Sequence, residues 1–184
     1  MRANYRSLKT LKEYSIPFKG LKLGKHQFTF EITDSFFNEF EYSLVKKGKL
    51  NCKVELEKQE TMMILDFKID GVVDRSCDRC LSEFPEVAHV EERQIVKFGE
   101  PEPEETANDH VMVLNRNEYE LDLSGLIYEY INLAMPLISV CNDEGNTPFC
   151  DQEMLDKLKK LSGSETDEEN TSPDPRWNAL KNIK

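Results

Sequence analysis

Long apolar runs are missing from this sequence, and no stretch approaches the roughly 18 residues that a membrane-spanning helix needs. The first residues also lack the apolar segment and small-residue cleavage site of a secretory signal. The five cysteines are an odd number, which argues against the disulfide framework of a small secreted protein. We therefore expect a cytoplasmic protein whose thiols are reduced or bound to metal.

The motifs of the common enzyme classes are missing as well. The chain contains no glycine-rich phosphate loop, no HExxH motif and no nucleophile elbow. Its three histidines, His26, His89 and His110, are scattered and match no catalytic pattern. The glutamates of residues 100–105 lie in a proline-rich loop, which does not fix the geometry that catalysis requires. We expect no enzymatic activity.

Positive charge is scarce and unevenly placed. The chain has 24 lysines and arginines against 35 aspartates and glutamates, a net charge of −11. Residues 1–26 nevertheless hold seven cations against the single anion Glu13, so this basic arm carries +6 and the remainder −17. Such an arm can bind a polyanion such as RNA, although many charged runs are simply solvated. The lysines that could make the contact are Lys9, Lys12, Lys19, Lys22 and Lys25.

Four of the five cysteines form two pairs, Cys77 with Cys80 and Cys141 with Cys150, separated by 60 residues. Four thiolates suit one tetrahedral zinc ion if folding brings the pairs together. A redox-active CxxC pair and plain reduced thiols are the alternatives, but a redox CxxC normally begins a helix, and this one lies between strand patterns. Cys52 lies on the apolar side of a strand pattern, where we expect a small core residue.

Alternating apolar and polar residues predict strands over residues 26–32, 49–58, 62–71 and 86–98. A short edge strand is predicted over residues 14–18, and a further strand pair near residues 115–118. Short turns between consecutive strands indicate an antiparallel meander with the CxxC motif at one turn.

Helical spacing of apolar residues follows mainly in the C-terminal half of the chain. Helices are predicted over residues 35–44, from Asp122 or Ser124 to Met135 before Pro136, and over residues 151–161. The predicted fold class is therefore α+β, an antiparallel sheet followed by helices and a flexible C-terminal tail.

The domain organisation follows from composition. Residues 1–161 are predicted to form a single α+β domain that includes the basic arm, and residues 162–173 an acidic, disordered linker. Residues 174–184 are predicted as a short helical motif with proline in its first turn. Its Trp177, the one tryptophan of the chain, is expected to dock either on its own domain or on a partner.

Several short motifs, taken in order, resemble the YceD family of large ribosomal RNA subunit accumulation proteins. They are the turn Cys77-Asp78-Arg79-Cys80-Leu81, the stretch Glu120-Leu121-Asp122-Leu123 with Tyr128-Glu129, Leu133 and Pro136, and the terminal Asp174-Pro175-Arg176-Trp177-Asn178-Ala179-Leu180. The resemblance spans residues 14–184. Many relatives carry a denser late cluster, Cys-x-x-Cys-x-Gly-x-Cys, where this chain has Cys141 and Cys150 with Gly145 between them.

The resemblance implies a non-enzymatic role in accumulation or maturation of large-subunit (23S) ribosomal RNA. The expected partner is that RNA or a basic ribosomal protein, with no membrane and no small-molecule substrate. Besides the lysines, the residues expected to contact the partner are Asp174, Pro175, Arg176 and Trp177 of the terminal motif. The alternative function is a thiol-redox or zinc-binding module for protein interaction.

Overall fold

The computed structural model describes residues 9–41, 43–99, 111–115, 117–141 and 148–162 of the chain. The chain divides into two compact units. The first contains Met1–Arg75 and Glu83–Ser139, and the second contains Ser76–Ser82 and Val140–Lys184. The terminal residues Asp174, Pro175, Arg176 and Trp177, and residues 163–173 of the predicted linker, lie outside the described residues.

The first unit is built on strands whose positions follow the predicted alternation. In chain order its elements are β1 (Ser15–Ile16), β2 (Gly24–Ile32), helix α1 (Asp34–Asn38), β3 (Lys47–Lys58), β4 (Met62–Ser76), β5 (Glu83–Phe98), β6 (Val111–Leu114), β7 (Leu121–Asp122) and helix α2 (Ser124–Ala134). Two short 3₁₀ turns, Lys9–Tyr14 and Phe18–Gly20, flank β1. The last residue of β4, Ser76, already belongs to the second unit.

Within the described part of the chain, the main sheet has five strands in the order β2-β3-β4-β5-β6, and β1 pairs with β7 in a separate two-stranded sheet. Strands β2, β3 and β4 pair antiparallel, as the meander predicted. Ion pairs from Asp66 to Arg93 and from Lys68 to Glu91 cross between β4 and β5 in the antiparallel sense. The predicted α+β class with a mostly antiparallel sheet is therefore confirmed.

Strand β6 departs from the predicted meander, because it pairs parallel to the end of β5, with Ile95 opposite Val111. The strand pair predicted near residues 115–118 is wrong. Its two members, β6 and β7, pair instead with β5 and β1 in different sheets. The apolar residues of both segments find buried partners outside the segment itself, and this burial decides the pairing.

One face of the main sheet forms the core, and the other carries polar and charged residues. The core-facing residues of the two central strands are Leu50, Cys52, Val54 and Leu56 of β3 with Met63, Leu65, Phe67 and Ile69 of β4. The layer above them includes Tyr14 and Ile16 at the start of the unit and Ile127 and Ile131 of α2. The Tyr14 hydroxyl donates to the Glu31 carbonyl over 2.9 Å, which fixes this early segment beside β2.

Two predicted boundaries differ from the structure by five residues or more. Helix α1 ends at Asn38 rather than continuing to residue 44, because the chain turns to bury Phe40, which stacks on Tyr128 with ring centroids 4.0 Å apart. Strand β4 passes through Gly71 and continues to Ser76. Helix α2 lies close to its predicted limits, and the Asp122 carboxylate accepts from the Ser124 N–H at its start.

The second unit contains the turn that joins β4 to β5 and helix α3 (Gln152–Leu161). The helix predicted over residues 151–161 is confirmed within one residue, and the Asp151 carboxylate caps it by accepting the Met154 N–H over 3.1 Å. Within the described residues, no helix is both long and apolar enough to cross a membrane.

Candidate metal centre

The CxxC motif forms a tight turn between β4 and β5. The Cys77 N–H donates to the Ser82 carbonyl and the Leu81 N–H to the Cys77 carbonyl, each over 2.9 Å. Leu81 adopts a left-handed backbone conformation, with φ of 64°, which is uncommon for a leucine. The hydrogen bonds across the turn hold this conformation, and the turn buries both cysteine side chains.

Three sulfur atoms converge in this unit. The Sγ atoms of Cys77, Cys80 and Cys141 all lie within 4.8 Å of one another, and those of Cys80 and Cys141 are 3.7 Å apart. A tetrahedral zinc ion with Zn–S bonds of about 2.3 Å separates its sulfur ligands by about 3.8 Å. The spacing therefore fits three corners of a tetrahedral thiolate site.

Backbone N–H groups surround the sulfur of Cys77. It accepts from the N–H groups of Arg79, Cys80 and Cys141 at nitrogen–sulfur distances of 3.4, 3.5 and 3.4 Å. Cys77 is fully buried, and a buried thiolate is stable only where donors or a metal compensate its charge. Three backbone N–H groups therefore converge on a sulfur atom that could ligate a metal.

The thiol of Cys80 has a similar environment. It accepts from the backbone N–H of Asp151 and from that of Ser82, and these hydrogen bonds lower its pKa to about 6. Burial acts in the opposite direction and raises this pKa, since Cys80 is only 1% exposed, but the hydrogen bonds have the larger effect. Asp151 precedes α3, so the start of this helix is bound directly to the cysteine turn. The hydrogen-bond donors around both sulfur atoms are backbone N–H groups. Every residue type except proline has such a group, so the sequence could not reveal which of them contact the sulfurs.

The fourth cysteine of the predicted zinc site has a different position. Cys150 is half-buried and directly precedes Asp151, yet its Sγ is not among the three sulfurs that lie within 4.8 Å of one another. Folding thus brings together Cys77, Cys80 and Cys141. The participation of Cys150 stays a prediction. Three clustered thiols are a donor set of the soft kind that zinc prefers, so the residues present fit such an ion.

Cys52 has the role expected of a core residue. It is fully buried in the sheet, far along the chain from the other four cysteines, and burial raises the pKa of its thiol to about 12. A thiol in this state is protonated and inert at neutral pH.

The lysines predicted to contact RNA lie at the surface where their side chains are described. Lys12, Lys19 and Lys22 are exposed, and Lys25 pairs with Glu55 at 2.6 Å from Nζ to Oε1. This pairing raises the pKa of Lys25, chiefly through its hydrogen bond to Glu55. Lys9 begins the first 3₁₀ turn. From Leu11 onwards the basic arm is anchored, since Leu11, Tyr14, Ile16 and Phe18 are buried in the first unit.

The histidines remain apart. His26 hydrogen-bonds the Lys22 carbonyl, and His89 contacts the Asp70 carboxylate at 2.6 Å on the exposed face of the sheet. His110 lies outside the described residues.

Comparison with known proteins agrees with the motifs. The family described as "Large ribosomal RNA subunit accumulation protein YceD" matches residues 65–184, a range that includes the cysteine turn, both helices of the C-terminal half and the terminal motif. No curated protein and no solved structure matches the chain significantly. Since the match covers well over half of the sequence, this chain belongs to the YceD family.

Proposed function

We propose that the protein promotes accumulation of large-subunit ribosomal RNA as a non-enzymatic binding factor in the cytoplasm. The family match over residues 65–184 carries this proposal. The thiolate cluster supports it, because thiols surrounded by backbone donors in a buried turn suit a structural metal rather than a substrate.

The metal proposed for the cluster is one zinc ion held by Cys77, Cys80, Cys141 and Cys150. Zinc bound there would tie the cysteine turn to the chain that enters α3 and so rigidify the second unit. Elemental analysis of protein purified without chelators tests this, with iron measured beside zinc because iron also accepts tetrahedral thiolates. We expect one equivalent of zinc, and well under one equivalent of any metal would contradict the proposal.

The RNA role is tested in cells by depleting the protein and measuring large-subunit against small-subunit ribosomal RNA. We expect a selective fall in the large-subunit RNA, restored by the wild-type chain. An unchanged ratio after complete depletion would refute the proposal. Purification of the protein with and without nuclease then distinguishes direct RNA contact, through the basic arm or the terminal motif, from contact with a ribosomal protein.

A thiol-redox role is the second candidate, supported by the short distance between Cys80 and Cys141. Their sulfurs would have to approach from 3.7 Å to about 2.05 Å to form a disulfide. In that step two thiols lose two protons and two electrons to an oxidised low-molecular-weight disulfide. Peptide mapping after such treatment identifies the bond. A metal-free protein with a reversible Cys80–Cys141 disulfide would favour this candidate over zinc.

A further inference from the structure

Among the described residues, the long strand β5 has an edge that is open over most of its length. Its neighbour β6 pairs only with Ile95–Phe98 at the C-terminal end. Along residues 83–94, no strand among the described residues pairs with β5 on the side away from β4. The edge of a sheet presents a row of N–H and C=O groups that can pair with another chain.

A groove runs between this part of β5 and helix α2. The helix is fixed to the sheet by Tyr130, whose hydroxyl donates to Gln94 over 2.9 Å and whose ring packs edge-on against Phe67. The groove has a volume of about 510 Å³, and Leu126 and Leu133 of α2 line it together with Val90 of β5. Leu133 is 75% exposed, so the groove presents apolar surface to solvent.

The rim of the groove is acidic. Glu91 and Glu92 of β5 and Glu129 of α2 line it, and all three are exposed. Glu91 pairs with Lys68 at 2.8 Å, whereas Glu92 and Glu129 form no salt bridge with the described residues. Their charge reaches into the groove, where both carboxylates raise the pKa of the half-buried Tyr130 hydroxyl in addition to the larger effect of its partial burial.

We propose that this acidic groove binds an extended, lysine- or arginine-rich polypeptide segment of a partner protein. The segment would pair with the open edge of β5 and direct alternate lysines or arginines towards helix α2, where their aliphatic stems pack on Leu126 and Leu133 and their charges meet Glu92 and Glu129. RNA is disfavoured because its phosphates would meet three carboxylates. A second copy of this chain is disfavoured because it would oppose the same acids to one another.

This inference rests on the proposed function only for the source of the segment, since basic extended tails are the kind of segment that a ribosomal protein offers. Binding itself is tested with synthetic peptides. The probe is an eight-residue peptide of alternating lysine and valine with blocked ends, and the matched control replaces each lysine by glutamate. Affinity is measured by fluorescence anisotropy, and the bound surface by amide hydrogen exchange.

We expect the lysine peptide to bind and the glutamate peptide not to bind. Bound peptide should slow exchange at alternate amides of residues 86–94, beyond Pro85, because strand pairing protects every second N–H of the edge. The double variant Glu92→Lys, Glu129→Lys should weaken binding about tenfold, since each exposed ion pair contributes roughly a factor of three. The control Glu60→Lys, Glu118→Lys reverses two exposed acids outside the groove and should bind as the wild type does.

Unchanged melting temperature of both double variants shows that the fold is intact. The proposal is overturned if the two peptides bind equally, if the protected amides lie outside β5, or if single-stranded oligouridine protects these amides and the lysine peptide does not. The synthetic peptide can fail to bind while depletion of the protein still lowers large-subunit RNA. Equally, the peptide can bind while depletion leaves that RNA unchanged. The two proposals are therefore refuted by different results.

Discussion

Replacing Gly71 by alanine should destabilise the protein strongly, although the change adds a single methyl group. Gly71 of β4 lies opposite Leu50 of β3 in the antiparallel ladder. A Cβ atom at Gly71 would press against the Lys49 carbonyl oxygen and lie 2.5 Å from Leu50 Cα and 2.9 Å from Leu50 Cβ. Ordinary carbon–carbon contacts are about 3.5 to 4.0 Å, so the two strands would have to separate by about 1 Å.

The energetic cost follows from the atoms involved. Two of the three close contacts are to the backbone of β3, which has no rotamer that relieves the overlap. Overpacking of a well-packed site costs about 1–3 kcal/mol, and weakening one or two ladder hydrogen bonds adds about 1 kcal/mol each. We expect the free energy of unfolding to fall by about 2–5 kcal/mol, which for a chain of this size lowers the melting temperature by roughly 4–20 °C.

The matched control is Gly125→Ala in the first turn of α2, where an added Cβ meets nothing within 4 Å. Alanine there should leave stability unchanged or raise it by up to about 1 kcal/mol, because it loses less backbone entropy in a helix. Urea unfolding followed by circular dichroism measures both variants. A Gly71→Ala protein within about 0.5 kcal/mol of the wild type would refute the close approach of β3 and β4.

Three further predictions concern the thiols, the basic arm and alkaline stability. Cys141→Ser should reduce bound zinc to well below one equivalent, as measured by elemental analysis. Alanine at the five lysines of the arm should weaken binding to large-subunit RNA, as measured by filter binding. The slope of log affinity against log salt should become shallower by roughly 0.7–0.9 for each phosphate that the arm no longer neutralises. The free energy of unfolding should fall as pH rises from about 9 to 12. Burial in the fold raises the pKa values of Cys52, Tyr14 and Tyr130 to about 12. In the unfolded chain the Cys52 thiol titrates near 8.5 and a tyrosine near 10, so the unfolded chain loses these protons first.

Each of these predictions has its own control. The Cys52→Ala variant should retain the full equivalent of zinc. Loss of zinc from this variant would mean that the metal is not bound by the cysteine cluster. For RNA binding, the control replaces five exposed lysines outside the arm, Lys46, Lys49, Lys53, Lys97 and Lys159, and should bind like the wild type. An equal loss of affinity in both variants would mean that the arm has no special role. In the alkaline range, unfolded chains lose protons that folded chains keep, so a stability that rises between pH 9 and 12 would contradict the burial of these groups.

Sequence patterns alone were enough to predict the elements whose signals are local. Period-two alternation identified β2 and β3, and the helical spacing of apolar residues identified α3, because these patterns depend on neighbours within one strand or one turn of helix. The terminal motifs and the cysteine turn were also sufficient to identify the YceD family, since they keep their order along the chain.

Features that join distant segments of the chain could be recognised only in the folded protein. Gly71 resembles a strand end in the sequence, but in the fold it allows β3 and β4 to approach closely, so β4 continues to the cysteine turn. Cys141 meets Cys77 across more than 60 residues, and the acidic groove combines Glu92 of a strand with Glu129 of a helix. Such contacts form when the buried faces pack together and bring residues that are distant in the sequence close in space. A pattern of neighbouring residues does not show which distant segments will meet.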